Sequence, residues 1–124
     1  MLLEDFYTVQ SIEQKDGQNY DVWILVNEKH AVFKGHFPGN PIMPGVCMMQ
    51  IIKEVTEQLT NCKLLMQSVS NVKFMALINP DVTPKLRLEL SIVPAEDNLI
   101  KVKNTTFFDE TVALKLGSVY QKLN

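Results

Sequence analysis

The chain has 124 residues, with 12 basic and 14 acidic side chains for a formal net charge of -2, and it is 46% hydrophobic and 21% charged. This composition predicts one soluble globular domain over residues 1–124, long enough for a single core. Without a basic block it excludes an electrostatic case for nucleic-acid binding, and no apolar run approaches the roughly 20 residues that span a bilayer.

The start, Met1-Leu2-Leu3-Glu4-Asp5, has neither a basic stretch nor a long apolar run. No signal peptide is therefore expected, and a cytoplasmic location is. Phe6 to Ile12 reads as a first strand, followed by a turn at Asp16-Gly17. Tyr20, Val22, Ile24 and Val26 alternate with Asp21, Trp23, Leu25 and Asn27, which is strand periodicity with one mixed face. From Pro44 the spacing changes. Met48, Ile51, Ile52, Val55 and Leu59 form an apolar stripe at helical spacing, with Pro44 placed to start the helix and Asn61 to end it.

The opposite helix face carries Val46, Met49 and Gln50, then Lys53, Glu54 and Glu57. This predicts a helix whose first turn is wrapped by protein and whose last turns meet solvent. Cys47 lies in the first turn, where the helix dipole can lower a thiol pKa; the simpler reading is a small core residue. With Cys62 fifteen positions away and no histidine cluster, neither a metal site nor a disulfide is expected.

Strand character then returns. Leu64 to Ile78 is a long β-prone stretch with a bend expected near Ser68 to Asn71, and Asn79-Pro80-Asp81 marks a turn. Leu86, Leu88, Leu90 and Ile92 alternate with Lys85, Arg87, Glu89 and Ser91, predicting a strand with one buried and one solvated face. Pro94 to Asn98 turns the chain into Leu99–Phe108, and Asp109-Glu110 joins that to Thr111–Tyr120. One helix among five or six strands needs an antiparallel sheet to lie on, so the pattern predicts an α+β fold with a helix packed on a curved sheet.

The segment between the second strand and the helix holds the chemistry. Residues 33 to 46 read Phe-Lys-Gly-His-Phe-Pro-Gly-Asn-Pro-Ile-Met-Pro-Gly-Val. Pro38, Pro41 and Pro44 fix φ, and Gly35, Gly39 and Gly45 permit turns closed to other residues. A loop so constrained loses little entropy on ordering and can hold His36 in place. Imidazole is suited to proton transfer near neutrality.

This segment resembles the signature of the hot-dog-fold 3-hydroxyacyl-(acyl carrier protein) dehydratases, F-x-G-H-F-P-G-x-P-x-M-P-G-V. Phe33, Gly35, His36, Phe37, Pro38, Gly39, Pro41, Met43, Pro44, Gly45 and Val46 match it. The resemblance implies a hot-dog fold, one long central helix wrapped by a curved antiparallel sheet. It also implies dehydration of an acyl-carrier-linked or CoA-linked 3-hydroxyacyl thioester, with no cofactor. The implied assembly is a homodimer or higher homo-oligomer, or a heteromer with another hot-dog subunit, with an acyl tunnel at the interface and the histidine and its carboxylate partner on opposite subunits. Val72-Lys73-Phe74 and Pro80 to Leu90 resemble the family's strand, turn and strand beyond the helix, with Pro80-Asp81-Val82-Thr83-Pro84 replacing its usual Pro-Gly-Asp turn.

Dehydration needs a base for the C2 proton, an acid for the departing hydroxyl and donors for the thioester carbonyl. His36 is the candidate base, and the Gly45 backbone N–H at the helix start is the candidate carbonyl donor. Phe37, Met43, Val46, Met48 and Met49 are candidates to line an acyl-binding wall, or plain core. At the acid position, fourteen residues after His36, the family has Glu or Asp and this chain has Gln50. A carboxamide cannot deliver a proton to a leaving hydroxide. Where the bacterial motif commonly reads Glu-x-x-x-Gln, this chain reads Gln50-Ile51-Ile52-Lys53-Glu54, so carboxamide and carboxylate are exchanged over one helical turn. Read from its neighbours Lys53 and Glu57, Glu54 is expected to be solvated; read as half of the exchange, it is a third candidate at the site. Three functions follow: a dehydratase, a non-catalytic acyl-binding subunit paired with an active partner, or a thioesterase of the same fold. The intact His-Phe-Pro-Gly segment argues against the last.

Overall fold

Asp16 closes the first hairpin as an Asx turn: its carboxylate accepts from the backbone N–H groups of Gln18 and Asn19 at 2.8 and 2.9 Å. The hairpin joins β1 (Tyr7–Gln14) to β2 (Asn19–Val26), in a computed structural model that describes residues 4–34 and 41–123. After a short α1 (Ala31–Lys34) and the long α2 (Gly45–Thr60) come β3 (Leu64–Phe74), β4 (Lys85–Pro94), β5 (Leu99–Phe108) and β6 (Thr111–Lys122). The strands form one antiparallel sheet in the order β1-β2-β4-β5-β6-β3. β1 and β3 stand at opposite edges of the sheet.

The period-two reading of β4 holds residue by residue. Leu86, Leu88, Leu90 and Ile92 are buried, while Lys85, Arg87, Glu89 and Ser91 lie on the outer face. The inner face joins Met48, Ile51, Ile52 and Val55 of α2 in a single buried cluster with Val22, Ile24, Ile100 and Leu114. Each such side chain stabilises the fold by roughly 1.5–3 kcal/mol through apolar burial. α2 starts at Pro44 and stops at Asn61, whose left-handed backbone (φ 53°) lets the Cys62 N–H return to the Glu57 carbonyl at 3.3 Å. β3 carries the expected bend: its register against β6 shifts between Met66 and Ser68 and between Ser70 and Lys73, with Asn71 at positive φ.

The structure corrects four expectations. β3 ends at Phe74 rather than continuing to Ile78, because the Met75 and Ala76 N–H groups both turn to the Ala113 carbonyl. Residues 31–34 form a helical turn, with Phe33 stacked on Phe6 at 5.3 Å between ring centroids; four residues are too few to show a period. The first turn of α2 is not wrapped, since Val46 is 74% exposed. Nor do the later turns simply meet solvent. Thr56 is fully buried with its hydroxyl donating to the Ile52 carbonyl, and Glu54 is buried as well.

Candidate functional site

Helix α2 presents two different surfaces at its two ends. At its start, Pro44 offers no side-chain cap and the first turn holds no acidic residue. The N-terminal N–H groups of a helix lack intrahelical acceptors and carry the positive end of its dipole. Gly45, the first helical residue, borders a cavity of about 410 Å³ lined by Met43, Met48, Phe74, Met75, Ala76, Leu77, Ile78 and Leu114. The Met43 N–H donates to the Ile78 carbonyl at 2.8 Å and ties the chain before the helix to the cavity wall. The Phe74 ring lies against Gly45 so closely that a Cβ at position 45 would sit 2.7 Å from Cζ. A side chain at position 45 would therefore have to displace the exposed Phe74 ring. The arrangement can hold an apolar chain with a carbonyl oxygen near unopposed N–H donors.

One turn and more along the helix, the surface turns polar and closed. The Gln50 Nε2 donates to Glu54 Oε2 at 2.8 Å, and the Tyr7 hydroxyl donates to Glu54 Oε1 at 2.9 Å. Glu54 is only 9% exposed. Its burial is compensated by these two bonds, as a buried carboxylate requires. Burial, reinforced by the adjacent Glu54, pushes the Tyr7 phenol well above its ordinary range, so it stays a donor. Below this group, Glu57 accepts from the Leu64 N–H at 2.9 Å and pairs with Lys53 at 3.8 Å. Glu54 is thus not the solvated neighbour of Lys53 and Glu57 that local sequence suggests.

The candidate residues divide accordingly. Gly45, Met43 and Met48 meet at the cavity. Gln50 and Glu54 meet each other, with Tyr7 as a third member that sequence did not single out. Nothing in the pattern of β1 marks Tyr7, since its partner is 47 positions away. Val46 points to solvent and Met49 packs half-buried on the core, neither lining the cavity. Phe74 lines it without having been expected to. His36 and Phe37 lie outside the described residues. Cys47 is a core residue, and burial raises its thiol pKa. Among the described residues there is no cluster of three or more potential metal ligands, and no helix is long and apolar enough to cross a membrane.

A long helix cradled on one face of a six-stranded antiparallel sheet, with an apolar cavity at the helix start, defines the hot-dog class. Within it, residues 12–111 match the family model described as ApeI-like, ApeI dehydratase, and the chain belongs to that family. It is 31% identical over 98 residues to the 3-hydroxyacyl-[acyl-carrier-protein] dehydratase FabZ of Lactobacillus helveticus, a match covering 73% of this chain and 63% of that protein. The chain thus spans less than two thirds of that relative's length. Among solved structures, the dehydratase heterocomplex ApeI:P from Xenorhabdus doucetiae superposes with a TM-score of 0.68 at 18% identity, covering 94% of this chain and 97% of the other. A hypothetical thioesterase with coenzyme A from Streptococcus pneumoniae superposes with a TM-score of 0.66 at 10% identity, covering 95% and 89%. At such identities these two structures share the fold alone.

Proposed function

We propose that this chain is a dehydratase of (3R)-hydroxyacyl thioesters, yielding trans-2-enoyl thioesters in acyl-chain biosynthesis. The observation that carries the reading is the uncapped start of α2 at Gly45, open to an apolar cavity, in an ApeI-like family chain with His36 nine residues upstream. In this reading the acyl chain occupies the cavity and the thioester carbonyl takes the Gly45 N–H. His36 removes the C2 proton, the electron pair forms the C2–C3 double bond, and the C3–O bond breaks as the His36 imidazolium, directly or through a water, returns that proton to the oxygen, which leaves as water. N–H donors that meet the oxygen as charge develops stabilise the transition state more than the ground state.

The acid half is weak. Gln50 has no proton to give, and both oxygens of Glu54 already accept hydrogen bonds. We therefore assign Gln50 to orienting the hydroxyl and expect slow turnover. Loss of a general acid costs about 10²–10⁴ in rate.

The same observation favours one second reading: a subunit that binds the acyl chain and completes a site with a partner that brings the carboxylate. The Xenorhabdus relative is a dehydratase heterocomplex by description. Exposed Val46, Phe74, Met75 and Leu77 beside the helix start leave an apolar surface suited to a second hot-dog subunit, identical or not.

The test follows enoyl absorbance with a 3-hydroxyacyl thioester for wild type, His36→Ala, Gln50→Glu and Glu54→Gln. Slow turnover, lost in His36→Ala and raised about 10²-fold or more in Gln50→Glu, is the expected result. Unchanged turnover in His36→Ala would remove the base from the scheme. Inertness of wild type and Gln50→Glu alike overturns the enzyme reading in favour of the paired subunit. Abolition in Glu54→Gln would transfer the acid role from the empty position to Glu54.

A further inference from the structure

His30 stands just before α1, and its imidazole joins two parts of the chain that are distant in sequence. Nε2 lies 3.0 Å from the Glu4 carbonyl oxygen, 26 positions back. Nδ1 accepts from the Val32 backbone N–H at 3.1 Å. These partners fix the ring's protonation. A carbonyl oxygen only accepts, so Nε2 must carry a proton; a backbone N–H only donates, so Nδ1 must not. Both bonds form together only in the neutral Nε2–H tautomer.

The ring belongs to a larger joint. It meets the Phe6 ring edge-on at 4.9 Å between centroids, and Phe6 in turn stacks on Phe33 of α1. The His30 N–H donates to the Asn27 carbonyl, and the His30 carbonyl accepts from the Phe33 N–H, both at 3.1 Å. Asn27 returns to the N-terminal side: its N–H donates to the Phe6 carbonyl and its amide to the Asp5 carbonyl, each at 2.8 Å. A single helical turn does not persist alone in water, and the Val32 bond is the side-chain cap of this one. α1 ends at Lys34, two positions before His36.

A proton added at Nδ1 sets two N–H groups against each other and breaks the cap. The charged groups on the segments packed around the ring are Glu4 and Asp5 before β1, Glu28 and Lys29 in the loop, and Lys34 on α1. Glu4, Asp5, Glu28 and Lys29 are exposed, and among the described residues no carboxylate forms an ion pair with the imidazole. No ion pair therefore replaces the lost bond. The cap is complete above the range in which imidazoles titrate and is lost as pH falls through it.

We propose that His30 is a proton-sensitive clamp: its neutral ring pins α1 to the N-terminal segment and so positions the stretch that leads to His36. The chain has two histidines, so NMR of the full chain labelled with ¹⁵N-histidine reads both rings, and His30→Asn assigns them. Asparagine keeps a cap through its side-chain oxygen and has no proton to gain near neutrality. At about pH 7.5 the His30 signals are expected to show the Nε2–H tautomer. The Nδ1–H tautomer, or an imidazolium at that pH, overturns the clamp. His30→Ala is expected to lower the thermal midpoint by about 4 °C at that pH. At about pH 5 it should match wild type, with His30→Asn standing above both. An equal deficit at both pH values overturns the proton sensitivity. In the same spectra the His36 signals are expected to shift in His30→Ala and return in His30→Asn. Unmoved His36 signals overturn the positioning role.

Turnover separates this inference from the dehydratase reading, on which its consequence for activity rests. With a 3-hydroxyacyl thioester, kcat is expected to fall about tenfold in His30→Ala at constant KM. It should recover in His30→Asn, with a shallower decline toward acid than in wild type. If wild type turns nothing over while the spectra and melts behave as stated, the clamp stands and the dehydratase reading fails. If wild type turns over and His30→Ala matches it at every pH, the clamp fails and the dehydratase reading stands.

Discussion

The start and the middle of α2 lie on one continuous helix and obey opposite rules. At Gly45 the helix leaves donors unanswered beside an apolar cavity, with the Phe74 ring lying directly against the glycine. At Gln50 and Glu54 every polar atom of the carboxylate is answered, by Tyr7 from β1 and by the carboxamide one turn back. An unanswered donor is available to a ligand, whereas an answered carboxylate contributes first to the fold. In this chain the first region is open and the second is closed.

That division predicts which substitutions harm turnover and which harm stability. The largest effect is expected at the open end. Gly45→Ala replaces the residue with the best helix former, so the thermal midpoint should hold or rise. The new methyl must displace the Phe74 ring, which is 60% exposed and free to yield. A shift of the carbonyl site by even 1 Å is expected to cost about 10²-fold in kcat/KM. A fall in stability with intact turnover would reverse the comparison.

At the closed region the reverse holds. Glu54→Ala leaves the Tyr7 hydroxyl and the Gln50 amide without their acceptor, at a cost of about 1–3 kcal/mol, measured by denaturant unfolding. A stability equal to wild type would mean the network adds nothing to the fold. Tyr7→Phe tests the same network by pH. The folded state favours the neutral phenol, first through burial and then through Glu54. Its contribution is therefore complete below the ordinary phenol value of 10.0 and is lost as pH rises beyond it. Wild type should lose stability above pH 10 more steeply than Tyr7→Phe, and parallel curves would count against the bond.

The smallest effect lies where the helix ends. Asn61→Ala forces a β-carbon residue without a side-chain amide into the left-handed region, costing about 1 kcal/mol. Asn61→Gly should restore that loss in thermal melts, and neither change should touch turnover.

Much of the scaffold was legible because its causes are local. β5 runs from Leu99 to Phe108 and α2 from Gly45 to Thr60, as periodicity, Pro44 and Asn61 predicted. Gly45 was legible too, from its place at the helix start. Glu54 was not. Its neighbours Lys53 and Glu57 argue for solvent, while its burial depends on a tyrosine from an edge strand far back in the chain. Phe74 escaped for a similar reason, since its contact with Gly45 arises only after β3 has crossed to the far edge of the sheet.

By itself, then, the sequence determined the order and type of the elements, the apolar face of α2, and a histidine motif joined to a helix start. Propensity, side-chain periodicity and fixed φ values act over a few residues and need no partner. Only tertiary structure decided which polar groups on that helix are open and which are closed. A carboxylate is buried or solvated according to what folds against it, and here the partners are a phenol from β1 and a carboxamide one turn away.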